Sequence, residues 1–130
     1  MGFGQDDNLT MSVTSPSRVD DWVLNVRVKI ISSGFAGKYN AYIFEQELTH
    51  LRDELSRIYR NLAGSLRFET LGFVLSEKPL EFEIRGNGRG QFDVLGVARH
   101  ESNRLVFHVE FDQSYIPSMV RELEEIIECP

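Results

Sequence analysis

The stretch LEFEIRGNGRGQFDVLGVARHESNRLVFHVEFD, residues 80–112, decides the fold. Leu80, Phe82 and Ile84 alternate with Glu81, Glu83 and Arg85. Phe92, Val94 and Ala98 then face one way, with Gln91, Asp93, Leu95 and Val97 opposite. Leu105, Phe107, Val109 and Phe111 repeat the pattern against Arg104, His108 and Glu110. A period of two means strands with one buried face. Gly86-Asn87-Gly88-Arg89-Gly90 and Glu101-Ser102-Asn103 separate them, and such turn-rich clusters join neighbours as hairpins. Consecutive hairpins make an antiparallel sheet.

On the C-terminal side, Asp112-Gln113-Ser114 offers an acceptor for the free amides of a helix start. Ile116, Met119, Val120, Leu123, Ile126 and Ile127 supply the apolar stripe of a helix over about 114–128. On the N-terminal side, Leu66 and Phe68 alternate with Arg67 and Glu69. The apolar phase then shifts to Leu71, Phe73 and Leu75, which predicts a bulge or bend near Gly72 before the turn Ser76-Glu77-Lys78-Pro79. Phe44, Leu48, Leu51, Leu55, Ile58 and Leu62 follow helical spacing, so a helix over about 44–63 is expected, with Gly64 closing it. Before it, Trp22, Leu24, Val26, Val28 and Ile30 share the buried face of a strand. Gly34-Phe35-Ala36-Gly37 turns the chain into a strand over Lys38–Ile43. A short strand runs from Leu9 and stops at Ser15-Pro16-Ser17, and residues 1–8 read as a flexible end. The expected fold is α+β: an antiparallel sheet of about 6–7 strands with two helices packed on one face, forming a single domain over residues 9–130.

Composition narrows function mainly by exclusion. The chain has 130 residues, 42% of them apolar, which suffices for a core without a metal or disulfide staple. Lys and Arg total 14 against 20 Asp and Glu, a net charge of −6. That charge argues against direct nucleic-acid binding, which leaves a basic footprint. Residues 66–130 hold 7 basic and 12 acidic groups, so the negative charge concentrates in the second half. Cys129 is the only cysteine, as expected of a reducing cytoplasm. Met1–Asp7 has no basic segment followed by an apolar run, so no signal peptide is read there. No apolar run approaches the roughly 20 residues of a membrane span.

No motif of catalysis stands out. Gly86-x-Gly88-x-Gly90 lacks the spacings of phosphate loops and joins two strands, so it reads as a hairpin tip. His50, His100 and His108 are not paired with one another or with Cys129 at metal-ligand spacing, so no metal or cofactor is expected. His108 with Glu110 and Glu81 or Glu83 is the best acid–base candidate, but a solvated sheet face accounts for the same residues. Glu81, Glu83, Asp93 and Glu110 line one side of three successive strands among Arg67, Arg85, Arg99 and Arg104, a mixture that cross-strand ion pairs explain. Two features point to a partner. Glu122, Glu124, Glu125 and Glu128 crowd the last turns of the second helix, where the helix dipole favours cations. The nominally polar sheet face also carries Val23, Leu71, Phe73, Leu75, Leu95, Val97 and Val106, more apolar surface than water favours.

The layout from the helix Phe44…Leu48…Leu51…Leu55 through Gly64-x-Leu66-x-Phe68 to Phe111-Asp112-Gln113-Ser114 and a closing helix resembles the WapI-type immunity proteins and their uncharacterised relatives. The resemblance covers about residues 22–127. It implies a small bacterial cytoplasmic protein that neutralises the toxin domain of a polymorphic secreted toxin, one that cleaves RNA. A nuclease has a basic substrate site, and an acidic blocker suits it by charge. The expectation is therefore a non-enzymatic, antitoxin-like binding protein, monomeric or homodimeric, whose partner is a basic toxin domain and not a membrane. Its candidate contacts are Glu122, Glu124, Glu125 and Glu128 on the helix, and Glu81, Glu83, Asp93 and Glu110 on the sheet. The rival reading is a self-associating or small-ligand-binding domain using the exposed sheet face. The remotest is an enzyme built on His108.

Overall fold

The computed structural model describes residues 1–71 and 78–130. The expected bulge near Gly72 and the outward positions of Phe73 and Leu75 lie outside the described residues. In chain order the elements are β1 (Gly2–Phe3), β2 (Asn8–Asp20), β3 (Val23–Ser32), β4 (Phe35–Phe44), α1 (Glu45–Asn61), β5 (Ala63–Glu69), β6 (Leu80–Asn87), β7 (Gln91–His100), β8 (Asn103–Asp112), a 3-10 turn (Gln113–Tyr115) and α2 (Ile116–Glu128). The class is α+β, as the alternation and the two helical stripes predict.

The strands differ from expectation in number and grouping. Among the described residues eight antiparallel strands form two four-stranded sheets, β1-β2-β3-β4 and β5-β6-β7-β8, where one sheet of six or seven was expected. The helix α1 is the physical reason. Its 17 residues carry the chain roughly 25 Å, so β5 starts a new ladder with β6 instead of extending β4. Each sheet keeps one face dry, and the buried side chains of both sheets and both helices form one cluster. Across the seam β8 touches β2 and β3. The two helices pack on each other, and α1 also packs on β5, the far edge of the second sheet.

The first helix buries Leu48, Leu51, Leu55 and Ile58. Phe44 precedes it in extended conformation, and Leu62, not Gly64, takes the left-handed position that ends it, with φ of 54°. The β6–β7 hairpin completes that end, since the Gly88 N–H donates to the Leu62 carbonyl at 3.1 Å. Gly88 has φ of 81° at this tip, and Asn87 Oδ1 accepts from the Arg89 and Gln91 amides at 2.7 and 3.2 Å. The glycine run is thus the expected hairpin. The second helix starts at Ile116, two residues later than expected, because the 3-10 turn comes first. Asp112 caps that turn, accepting from the Ser114 amide at 2.8 Å and from its hydroxyl.

Three local expectations change. Residues 1–8 do not form a loose end: Gly2–Phe3 pair with Leu9–Thr10, and Met1 and Phe3 are buried. β2 does not stop at Ser15-Pro16-Ser17; its ladder jumps from Val13↔Val26 to Arg18↔Leu24 and continues. Trp22 is 69% exposed, not buried. It sits in the β2–β3 turn, its N–H donating to Asp20 Oδ1 at 2.8 Å and its carbonyl accepting the Glu45 amide at 2.8 Å, so the buried alternation starts at Val23 and Leu24 instead.

Candidate functional site

The outer face of the second sheet is set by its register. Asp93 stands opposite Glu110 and Leu95 opposite His108. Val97 stands opposite Val106, and Arg99 opposite Arg104. On the β6 side, Arg85 faces Asp93, Glu83 faces Leu95 and Glu81 faces Val97. Reading along the strands, the face therefore runs from a carboxylate row, through an apolar and imidazole block, to an arginine row. Leu95 is 60% and Val106 is 63% exposed. Val97 is half-buried between them, and Leu71 is also exposed. Val23, expected on this kind of face, is buried in the other sheet.

The four sheet carboxylates divide into two kinds. Glu81 is shared by Arg99 at 3.5 Å and Lys78 at 4.0 Å, and Glu83 pairs with Arg85. Across from Glu81, Glu69 is held by Lys78 and Arg67, which keep its carboxyl below the usual range. Ion pairing thus accounts for these charges, but only Arg99–Glu81 joins two strands; Arg85–Glu83 and Arg67–Glu69 lie along single strands and Lys78 precedes β6. Asp93 and Glu110 instead meet His108, whose Nε2 is 3.1 Å from Asp93 Oδ1 and 3.9 Å from Glu110 Oε1. Donor atoms of these three exposed residues lie within 4.8 Å of one another. The His108–Asp93 hydrogen bond accounts for one of these approaches.

Beside Glu110 lies a cleft of about 570 Å³ lined by Gln5, Asp6, Asp7, Gln91, His108, Glu110, Phe111, Asp112 and Tyr115. Its lining brings four carboxylates together over a partly aromatic wall and includes neither Lys nor Arg. Pairing of β1 with β2 delivers the Gln5–Asp7 side, and Asp7 Oδ1 is anchored by the Ser33 amide at 3.2 Å. The β8 end delivers the other side, where the Ser114 hydroxyl and amide hold the Asp112 carboxyl below its usual range. Sequence reading missed Asp6, Asp7 and Asp112 as one site. The adjacent acids Asp6-Asp7 were the available signal, hidden by treating residues 1–8 as unstructured.

The helical acids lie elsewhere. Glu124, Glu125 and Glu128 are exposed, and Glu122 Oε2 is 3.2 Å from the Met1 nitrogen. The structure thus does not unite them with the sheet acids as one surface. Their unfavourable position is answered by a cation from another element. Arg18 on β2 donates to the Cys129 carbonyl at 2.6 Å, the Ile127 carbonyl at 2.5 Å and Glu45 Oε1 at 2.8 Å, so the negative end of α2 is neutralised from outside the helix. The first sheet presents the opposite sign: Arg27, Lys29 and Lys38 are exposed on β3 and β4, with Lys29 directly opposite Lys38.

Over one dry core the described surface thus carries an apolar strip beside a carboxylate cleft. Comparison with protein families matches residues 3–129 to the Immunity protein WapI-like family. The chain belongs to that family. Neither curated proteins nor solved structures give a match. Among the described residues no helix is long and apolar enough to cross a membrane.

Proposed function

We propose that this chain is an immunity protein that binds a cognate bacterial toxin domain in the cytoplasm and blocks it by occupancy, with no chemistry of its own. Family membership over residues 3–129 carries this reading. The acidic cleft supports its finer part, a basic toxin with a nuclease's charge. Carboxylates that cover a phosphate-binding surface compete with the substrate's own negative charge and speed encounter by steering. Of the sheet acids, Asp93 and Glu110 are the better contacts, because Glu81 and Glu83 are already paired with Lys or Arg. Glu122, Glu124, Glu125 and Glu128 form a second, separate acidic surface. The exposed Leu95 and Val106 favour a protein partner and are also what a self-associating domain would show.

Co-expression tests the role. Where a toxin domain is encoded beside this gene, cells induced for it should stop growing alone and grow when this chain is supplied. Growth arrest that persists with the chain present and folded contradicts immunity.

A further inference from the structure

Two acidic surfaces compete for the partner, and the chemistry around them separates them. Stable interfaces concentrate their energy in a few apolar or aromatic anchors near the centre, ringed by polar groups that exclude water. The second helix turns its apolar side chains to the core: Ile116, Met119, Leu123 and Ile126 are buried, Val120 and Ile127 are half-buried against the core, and Pro117, Arg121, Glu124, Glu125 and Glu128 are what it exposes. The outer face of β7 and β8 has both parts. Leu95, Val97 and Val106 form a contiguous apolar block, with Asp93 and Glu110 at one end and Arg99 and Arg104 at the other. The basic outer side of the first sheet would repel a basic partner.

Resting on the immunity reading, we infer that the outer face of β7 and β8 is the toxin-docking surface, with Leu95, Val97 and Val106 as its centre. The partner it fits is a basic protein surface that sets an apolar side chain on this block and sends a Lys or Arg past Glu110 into the cleft. The cleft suits such a side chain in two ways. Glu110, Asp112, Asp6 and Asp7 supply acceptors, and the half-buried Tyr115 supplies an aromatic ring on which a guanidinium stacks. Charge polarity along the strands gives the partner one orientation, since its basic end is attracted to the Asp93–Glu110 row and repelled by the Arg99–Arg104 row. Size requires both parts of the surface. Two strand widths of about 4.8 Å and three two-residue steps of about 6.8 Å frame only about 200 Å² of sheet. A standard interface takes about 800 Å² from each partner, so contact must continue over the cleft.

The experiment is calorimetric titration of the full chain with the purified toxin domain that the co-expression test identifies. The chains compared are the wild type, Leu95→Asp, Val106→Asp, Glu110→Lys and a Glu124→Lys/Glu125→Lys control, with thermal melting of each variant alone. Leu95→Thr and Val106→Thr, which suit a strand, replace any Asp variant that melts early. The docking surface predicts at least about 30-fold weaker binding for the sheet variants, the size of a hot-spot loss. It predicts a Glu110→Lys complex less sensitive to salt, and a helix control within about 3-fold of wild type. Wild-type affinity in the sheet variants overturns the docking surface while leaving immunity intact. Failure of the wild type itself to bind overturns the immunity reading and the docking surface with it. Sedimentation of the chain alone supplies a further contradiction: a dimer dissolved by Val106→Asp would make a second copy the occupant.

Discussion

Arg18 joins three parts of the molecule that meet nowhere else in sequence: the end of α2, the start of α1 and the β2–β3 turn. Its side chain is 18% exposed, and its guanidinium satisfies carbonyls that the end of α2 leaves open. Hydrogen bonds to charged groups contribute about 1.5–3 kcal/mol each and do not add fully, so Arg18→Ala is expected to cost about 2–3 kcal/mol in urea unfolding. Gly96 acts by having no side chain. A Cβ there would lie 2.4 Å from the Phe107 ring and 2.6 Å from the Glu81 carbonyl oxygen, so β7 passes under Phe107 only as glycine. Gly96→Ala should lower stability by about 1–3 kcal/mol, read as a fall in the same unfolding midpoint. Glu69 sets part of the acid limb. Lys78 first, then Arg67, hold its carboxyl below the usual range, so its contribution is present above the unfolded-state value and is lost as pH falls through the lower folded value. Glu69→Gln should therefore flatten the decline of the urea midpoint between about pH 5 and about pH 3.

Among the elements, the shortest strand has a disproportionate role. Phe3 of β1 belongs to the first sheet's ladder, yet its ring meets rings of the second, 6.2 Å from Phe82 and 5.1 Å from Phe111. Phe82 stacks on Phe68 and Phe111 on Phe92, so Phe3 closes an aromatic row between the sheets. Phe3→Ala is expected to cost about 3–5 kcal/mol, checked by thermal and urea unfolding. Such a role was not legible in the sequence, because Met1-Gly2-Phe3-Gly4 has no periodicity to read. Alternation did reveal the inward faces of β6, β7 and β8, and the +4, +3 spacing revealed α1, since both patterns are local. Which strand pairs with which is not local. A period of two says that Leu66 and Ile84 point inward but not that β5 pairs with β6 and leaves β4 an edge. Helix ends were misread by a residue or two for a similar reason: Leu62 could take the left-handed position because the Gly88 amide reaches it from a distant hairpin. Glu47 makes the same point at the start of α1. It accepts from the Phe44 amide at 3.0 Å, the buried Thr70 hydroxyl at 2.9 Å and the Leu71 amide at 3.1 Å, serving a helix cap and a distant strand end together.

For the whole molecule, net charge is a poor guide and its distribution a better one. The exposed side of the first sheet is basic, most of the second sheet's charges are paired, and four carboxylates line one cleft. Sequence reading put Asp93 and Glu110 in the candidate set through their shared side of the sheet. It could not add Asp6, Asp7 and Asp112, because β1–β2 pairing and the 3-10 turn bring them there. Under the proposed function the cleft needs no catalytic motif to act on a partner. It presents fixed negative charge beside an apolar block and needs only to stay bound. The most direct test of that claim is titration of the purified toxin domain's activity with increasing amounts of this chain. Blocking by occupancy predicts activity that falls in proportion to added chain and reaches its floor at one equivalent. Undiminished activity beyond one equivalent contradicts immunity by binding, and full inactivation by a small fraction of an equivalent contradicts a non-enzymatic role.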